Sequence, residues 1–137
     1  MTTVFRPKVL ALILILPCVQ AAAHHSFVSE YTRDEGQVTG VITRVLYKNP
    51  HARFYLEVTN QQGEKEEWEV QTQSVSTLAR FGITKDKFEV GTEVTAQGYY
   101  GRDSARKIFL QELHTEGGEV IRPNPSQQKS REYEEVF

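Results

Sequence analysis

The sequence predicts a mainly β protein, a small five-stranded OB-like Greek-key barrel with one short helix between strands 3 and 4. Three observations predict it. Short patterned segments come in the order three strands, one helix, two strands, which is the element order of that barrel. A glycine, Gly40, interrupts a β-branched first strand, where a small closed barrel needs a bulge or a sharp coil. The chain has 137 residues, 39% hydrophobic and 10% aromatic, which supports one domain with a real core and leaves no room for two. An open α+β sheet is the alternative that this element order leaves.

The first strand is read over Gln37–Tyr47 from Val38, Thr39, Val41, Ile42, Thr43 and Val45. Asn49-Pro50 breaks the ladder. In the second strand Phe54, Leu56 and Val58 alternate with Arg53, Tyr55, Glu57 and Thr59, so one face is buried and one is wet. Asn60-Gln61-Gln62-Gly63 is a turn, and in the third strand Trp68 and Val70 alternate with Glu67, Glu69 and Gln71, which makes strands 2 and 3 a hairpin.

Ser74 or Ser76 then caps a helix of about two turns with Val75, Leu78, Ala79 and Phe81 inward, ended by Gly82 in a left-handed conformation. A further turn from Thr84 sends Phe88 inward. The fourth strand, Thr92–Tyr100, buries Val94, Ala96 and Gly98. The fifth, Arg106–Leu113, sets Ile108 and Leu110 against Phe109, Gln111 and Leu113, with Gly101-Arg102-Asp103-Ser104 as the turn between them. Alternation thus collects Trp68, Phe54, Leu56, Val70, Val94 and Ile108 in one core.

Ahead of the barrel, residues 1–23 have the form of a secretory signal: Arg6 and Lys8, the apolar run Val9–Leu16 ended by Pro17, then Ala21-Ala22-Ala23. The run is far shorter than the roughly 20 residues of a membrane-spanning helix. Cleavage after Ala23 makes His24 the first mature residue; cleavage after Ala21 leaves Ala22-Ala23-His24. The single cysteine, Cys18, lies in this segment, and Pro17 before it fits a lipoprotein box poorly. The mature chain then has no thiol for disulfides, clusters or catalysis. The expected organisation is a signal peptide over 1–23, an amino-terminal leader over 24–36, the barrel over 37–121 and a disordered polar tail over 122–137, in a periplasmic or secreted protein without a stable membrane anchor.

The 16 Lys and Arg against 18 Asp and Glu give a net charge of −2, which lacks the basic excess of a nucleic-acid binder. The mixed set Arg53, Tyr55, Tyr99, Tyr100 and Arg102 is the type an OB barrel uses for single strands, but export and acidity argue against that partner. No Gly-x-Ser-x-Gly elbow or glycine-rich phosphate loop occurs. The acidic run Glu64, Glu66, Glu67 and Glu69 reads as a solvated face, and no catalytic set is assigned. The expectation is a protein that is not an enzyme.

The segments His24-His25-Ser26-Phe27 with Glu30-Tyr31, Asn49-Pro50-His51, Trp68, Leu78-Ala79-Arg80-Phe81-Gly82 and Val90-Gly91-Thr92-Glu93-Val94 carry a resemblance. Together they resemble a family of small exported bacterial proteins classed as a domain of unknown function, over roughly residues 23–113, a span of one small domain. Tyr47 and Ile83 stand where that family often has Trp. The resemblance implies export and a small β-barrel, and no established activity.

Four histidines remain: His24, His25, His51 and His114. Without thiolates, a transition-metal site here uses nitrogen and oxygen donors, which suits copper or zinc. A terminal His24 offers its amine and its ring together, similar to a histidine brace; Ala22-Ala23-His24 instead resembles the amino-terminal copper motif with histidine third. His24, His25 and His51 are therefore the candidate metal ligands. The competing account makes His24-His25 a solvated leader and His51 a residue of a strand-entry turn, and reads His114 as a surface residue. The function expected is an exported periplasmic binding module, with a divalent metal ion, copper or zinc, as its ligand. The alternative is an interaction module that docks an envelope protein through a barrel face or strand edge.

Overall fold

The structure, a computed structural model, describes residues 26–123. The signal, His24, His25 and nearly all of the tail lie outside the described residues. A short helix, α1 (Ser26–Glu30), runs directly into β1 (Tyr31–Leu46). Then come β2 (Arg53–Thr59), β3 (Lys65–Gln71), α2 (Val75–Arg80), a 3₁₀ turn at Lys85–Lys87, β4 (Glu93–Gly101), β5 (Lys107–Thr115) and a two-residue β6 (Val120–Ile121).

The sheet order β3-β2-β1-β4-β5-β6 closes on itself because β3 also pairs in parallel with β5, Glu69 to Lys107 through Gln71 to Phe109. Five strands closed in this order, with a helix between the third and fourth, form the predicted OB-like barrel. Closure depends on β1. It is long enough to pair with β4 along Tyr31–Val41 and with β2 along Val41–Leu46. It therefore begins well ahead of Gln37, in a stretch the sequence reads as leader.

Gly40 is not itself the bulge, since the register of the β1–β2 pair shifts between Ile42 and Arg44. Its role is close passage: a Cβ there would lie 2.5 Å from the Glu57 carbonyl oxygen. A second irregularity does overturn an expectation. Gln97 pairs with Glu112 and Gly98 with Leu110, leaving Gln111 as an extra residue on β5. One inserted residue reverses the alternation beyond it, so Leu113 is fully buried with Ile108 and Leu110 and does not face outward with Phe109.

Phe54, Leu56, Val70, Val94 and Ile108 are buried together as expected. Trp68 is the exception. It is only half-buried at the rim, packed against Tyr100 at 6.1 Å, with its indole N–H directed to Glu66 Oε2 at 3.4 Å. The helix is also shorter on its buried side than predicted. Ser74 accepts from the Thr77 N–H at 3.2 Å, and Gly82 ends the helix at φ 70°, but only Leu78 is fully buried. Ala79 is exposed because it stands about 100° round the helix from Leu78, and Phe81 is 41% exposed as the C-cap residue where the chain leaves the helix.

Arg102 and Ala105 close the β4–β5 turn through an N–H···O bond of 3.0 Å, with Asp103 and Ser104 between them at φ 56° and 57°. Positive φ at both central positions marks the turn that matches strand twist and that favours Asn-Gly. Asp103→Asn combined with Ser104→Gly is expected to stabilise the domain by about 1 kcal/mol, since a left-handed side-chain residue costs roughly that much. A thermal melt that falls below the parent's refutes this.

Candidate functional site

His51 sits in the β1–β2 connection, which is tied down at both ends of the Asn49-Pro50-His51 motif. Asn49 Oδ1 accepts the Val75 N–H of α2 at 3.1 Å. Next to His51, Ala52 donates to the Gln73 carbonyl at 3.0 Å and accepts from the Thr72 N–H at 2.9 Å. A strand-entry turn fixed this way holds its side chain in one place.

The half-buried imidazole lies on the outer face of the barrel against Gln71, with Nδ1 to Nε2 at 3.4 Å. Arg53 Nε donates to Gln71 Oε1 at 3.3 Å, which turns the amide N–H₂ of Gln71 toward the imidazole. Arg53 also lies 3.4 Å from Glu69, and Glu69 accepts the Tyr55 hydroxyl at 3.2 Å. The Arg44 guanidinium stacks 3.8 Å over the Tyr55 ring and reaches Glu67 at 3.5 Å. The outer face of β2 and β3 is thus one cross-strand polar network with His51 at its end.

Burial, and then the charge of Arg53, hold the His51 imidazole below its ordinary pKa, with Glu30 acting in the opposite direction. Unfolded His51 therefore takes up a proton before folded His51 does. Its contribution to the stability of the metal-free protein is complete above about pH 6.5 and is lost as pH falls from there toward the lowered folded value. The charged groups that set this are Arg53 and, in opposition, Glu30. His51→Asn is expected to flatten the fall in melting temperature between pH 7.5 and pH 5; an unchanged slope would place the acid sensitivity elsewhere.

The influence of Glu30 reveals a neighbour that sequence reasoning missed. The α1 helix is packed on the same outer face by a second, aromatic cluster. The Phe27 ring stacks on Tyr31 at 5.4 Å and meets Phe109 and Tyr99 edge-on at 5.0 and 5.9 Å. Tyr31 meets Phe109 at 5.5 Å and is only 2% exposed. Arg102 donates its Nε to the Val28 carbonyl at 2.6 Å and its N–H to the Glu30 carbonyl at 2.9 Å. Lys107 pairs with the Glu30 carboxylate at 3.0 Å and lies 4.9 Å over the Tyr31 ring. The signal for this was present as two aromatics, Phe27 and Tyr31, four apart across the junction of α1 and β1; a helix of five residues shows no periodicity of its own.

Among the described residues the buried Tyr31 hydroxyl has no hydrogen-bond partner. Burial raises its pKa well above the usual phenol range, and the charges of Glu69 and Glu30 raise it further against Arg53. Tyr31 starts opposite Gly101 of β4, lies across Phe109 of β5 and ends in the field of the His51 network.

Of the predicted ligands, the structure places His51 on this face, while His24 and His25 lie outside the described residues. Among the described residues no group of three or more His, Cys, Asp or Glu could hold a metal ion. His114 stands apart on β5, with Nε2 3.1 Å from Glu112. The acidic run is only partly a solvated face: Glu64 and Glu67 are exposed, while half-buried Glu66 pairs with Arg106 at 3.1 Å and half-buried Glu69 with Arg53. The aromatic-basic stripe does not form one open surface. Tyr99 packs on Phe27, and Tyr100 packs against the core and donates to the Gln37 carbonyl at 3.1 Å.

The model of a family of unknown function (DUF6152) matches residues 12–109. No curated protein matches the chain. Among solved structures, the chain is similar to the mitochondrial single-stranded DNA binding protein Rim1 of S. cerevisiae. That match has 5% identity and a TM-score of 0.47, and covers 66% of this chain and 96% of the other. It is also similar to the dimeric N-terminal domain of PriB from Thermoanaerobacter tencongensis, at 20% identity and a TM-score of 0.43, over 66% and 98% of the two chains.

Proposed function

The chain belongs to this family of unknown function, and we propose that it is an exported periplasmic binding module that takes up a divalent transition metal through His24, His25 and His51. The role is binding, not catalysis, and copper is preferred over zinc on intrinsic affinity. The export reading rests on the segment before His24, with its short apolar run and alanine cleavage site. Cleavage after Ala23 adds a terminal amine as a further nitrogen donor.

The observation that carries the metal reading is the meeting of two parts of the chain on one face. The Phe27 ring of α1, the helix that follows the histidine pair in sequence, lies 5.0 Å from Phe109, and Phe109 pairs across the strands with Gln71, which meets His51, the histidine of the fixed β1–β2 turn, at 3.4 Å. Sequence spacing alone puts these segments far apart. Imidazole held neutral is also the form a metal requires.

The test is titration of Cu(II) and Zn(II) into protein recovered from the periplasm, after intact mass has established its amino terminus. One tight copper site is expected, weakened by His51→Ala about 10-fold or more, since changes around a metal ligand cost 10–100-fold even beyond direct contact. Absence of tight binding overturns the metal reading. Tight binding that is indifferent to His51→Ala reduces it to a property of the leader. A mass with Met1 retained, or with an acyl chain on Cys18, overturns export by cleavage after Ala23.

A further inference from the structure

We infer that Arg53 and Gln71 lock His51 in the tautomer with its proton on Nε2, so that His51 ligates a metal ion only after the Gln71 amide gives way. Gln71 is thus a positioning residue that restrains the site. The restraint rests on the metal reading above, whereas the lock is a property of the metal-free protein.

The lock follows from donor and acceptor chemistry. Arg53 stands directly opposite Gln71 in the β2–β3 ladder, and its Nε–H, which can only donate, lies 3.3 Å from Gln71 Oε1. The amide oxygen is thereby committed to Arg53, and the N–H₂ is left facing His51 Nδ1 at 3.4 Å. An amide nitrogen donates and does not accept, so Nδ1 must be the acceptor. A neutral imidazole whose Nδ1 accepts carries its proton on Nε2. Turning the amide over would set its N–H₂ against the Arg53 N–H, donor against donor. Gln71 is only 7% exposed, so water is not at hand to make good the loss. The backbone holds the pair together as well, since Ala52, next to His51, is bonded to Thr72 and Gln73, the two residues that follow Gln71.

Metal binding asks for a different arrangement. A ligating imidazole gives one nitrogen to the ion and donates the N–H of the other to a carbonyl or carboxylate. Ligation through Nε2 therefore needs the proton on Nδ1, opposite the Gln71 N–H₂, where donor meets donor. Ligation through Nδ1 needs the Gln71 amide gone from that nitrogen. By either route the chain of bonds from Arg53 through Gln71 to His51 breaks first, and what it contributes is subtracted from the affinity. Gln71→Glu removes the conflict, because a carboxylate accepts from Arg53 and from Nδ1–H together. Gln71→Met removes the opposing donor without adding charge.

The experiment reads the tautomer first. Imidazole nitrogen chemical shifts, recorded on metal-free protein at about pH 8 where the ring is neutral and assigned through His51→Ala, are expected to show Nε2–H alone in wild type and Nδ1–H in Gln71→Glu. Cu(II) and Zn(II) are then titrated, each alone, into the same proteins. Gln71→Glu is expected to bind about 10-fold more tightly than wild type, within the range over which partners behind a ligating histidine act. Gln71→Met is expected to gain about 5-fold, the equivalent of one neutral hydrogen bond. Both gains should vanish beside His51→Ala. Wild type that shows Nδ1–H, or Gln71→Glu that keeps Nε2–H, overturns the lock. Variants at or below wild-type affinity, or gains that survive His51→Ala, overturn the restraint and leave the metal reading standing. Failure of every protein to bind metal brings down the metal reading and the restraint together, and the shifts alone then decide the lock. Should Gln71→Glu fail to fold, Arg53→Met frees the amide to turn, and Nδ1–H is expected to appear beside Nε2–H; its absence overturns the lock.

Discussion

Gly98→Ala is expected to cost this domain about 3 kcal/mol or more, at the upper end of what overpacking does, and to lower the melting temperature by well over 10 °C at the 4–8 °C per kcal/mol of a domain this size. A Cβ at Gly98 would lie 1.9 Å from the Phe109 carbonyl oxygen, 2.8 Å from its carbon and 3.2 Å from the Gln111 N. These are backbone atoms of β5 at the bulge, so relief means moving the strand whose inserted residue turns Leu113 inward. Gly36 provides the internal control. A Cβ there meets the Tyr100 ring at 2.2–2.3 Å, the far end of a side chain that can swing aside at the loss of its bond to the Gln37 carbonyl. Gly36→Ala should therefore be the milder variant. A melt in which Gly36→Ala is worse, or Gly98→Ala lies within a few degrees of the parent, means that β5 does not carry its bulge at Gln111.

The same bulge shows where the sequence stops being legible. The hairpin of β2 and β3 could be read because Phe54, Leu56 and Val70 keep strict period-2 alternation with one face buried. The helix between β3 and β4 could be read from Ser74 and Gly82, whose roles are local. The place of Leu113 could not, because the alternation changes phase at a close approach of Gly98 to the Phe109 backbone on the neighbouring strand, and a glycine in a strand states only that something comes near. For the site, the fixed turn at His51 was legible in Asn49-Pro50. Gln71, Arg53 and Glu69 were not, since what joins them to His51 is the register of β2 with β3, Arg53 opposite Gln71 and Tyr55 opposite Glu69. Phe27 and Tyr31 were passed over as leader because a single helical turn has too few positions to show a period. Their partners, Tyr99 and Phe109, come from the far end of the chain.

Phe54→Ala is the second variant with a large expected cost, about 3–5 kcal/mol for removing a buried aromatic side chain, against a total of about 5–15 kcal/mol for a typical domain. Phe54 is 1% exposed, its ring stacks on Phe88 at 5.2 Å, and Phe88 lies 6.5 Å from Tyr47. Tyr47 in turn donates its hydroxyl to the Ile83 carbonyl at 2.7 Å, so the ring of Phe54 supports the chain that leads from α2 into the 3₁₀ turn as well as the barrel interior. Its strand neighbours, Val45 and Val70, are held in the ladders on both sides and cannot collapse into the space left behind. Trp68 is the larger side chain and the obvious choice from sequence, yet it lies half-buried at the rim, where truncation exposes surface to water and opens no enclosed cavity. Trp68→Ala should accordingly cost about half as much as Phe54→Ala, because the cavity term of a core truncation is absent. Urea unfolding followed by circular dichroism ranks the two without using the one tryptophan as reporter. If Trp68→Ala proves the more destabilising, the centre of the core lies at the β3 rim and the inward stack of Phe54 on Phe88 is not what holds the barrel to its helix.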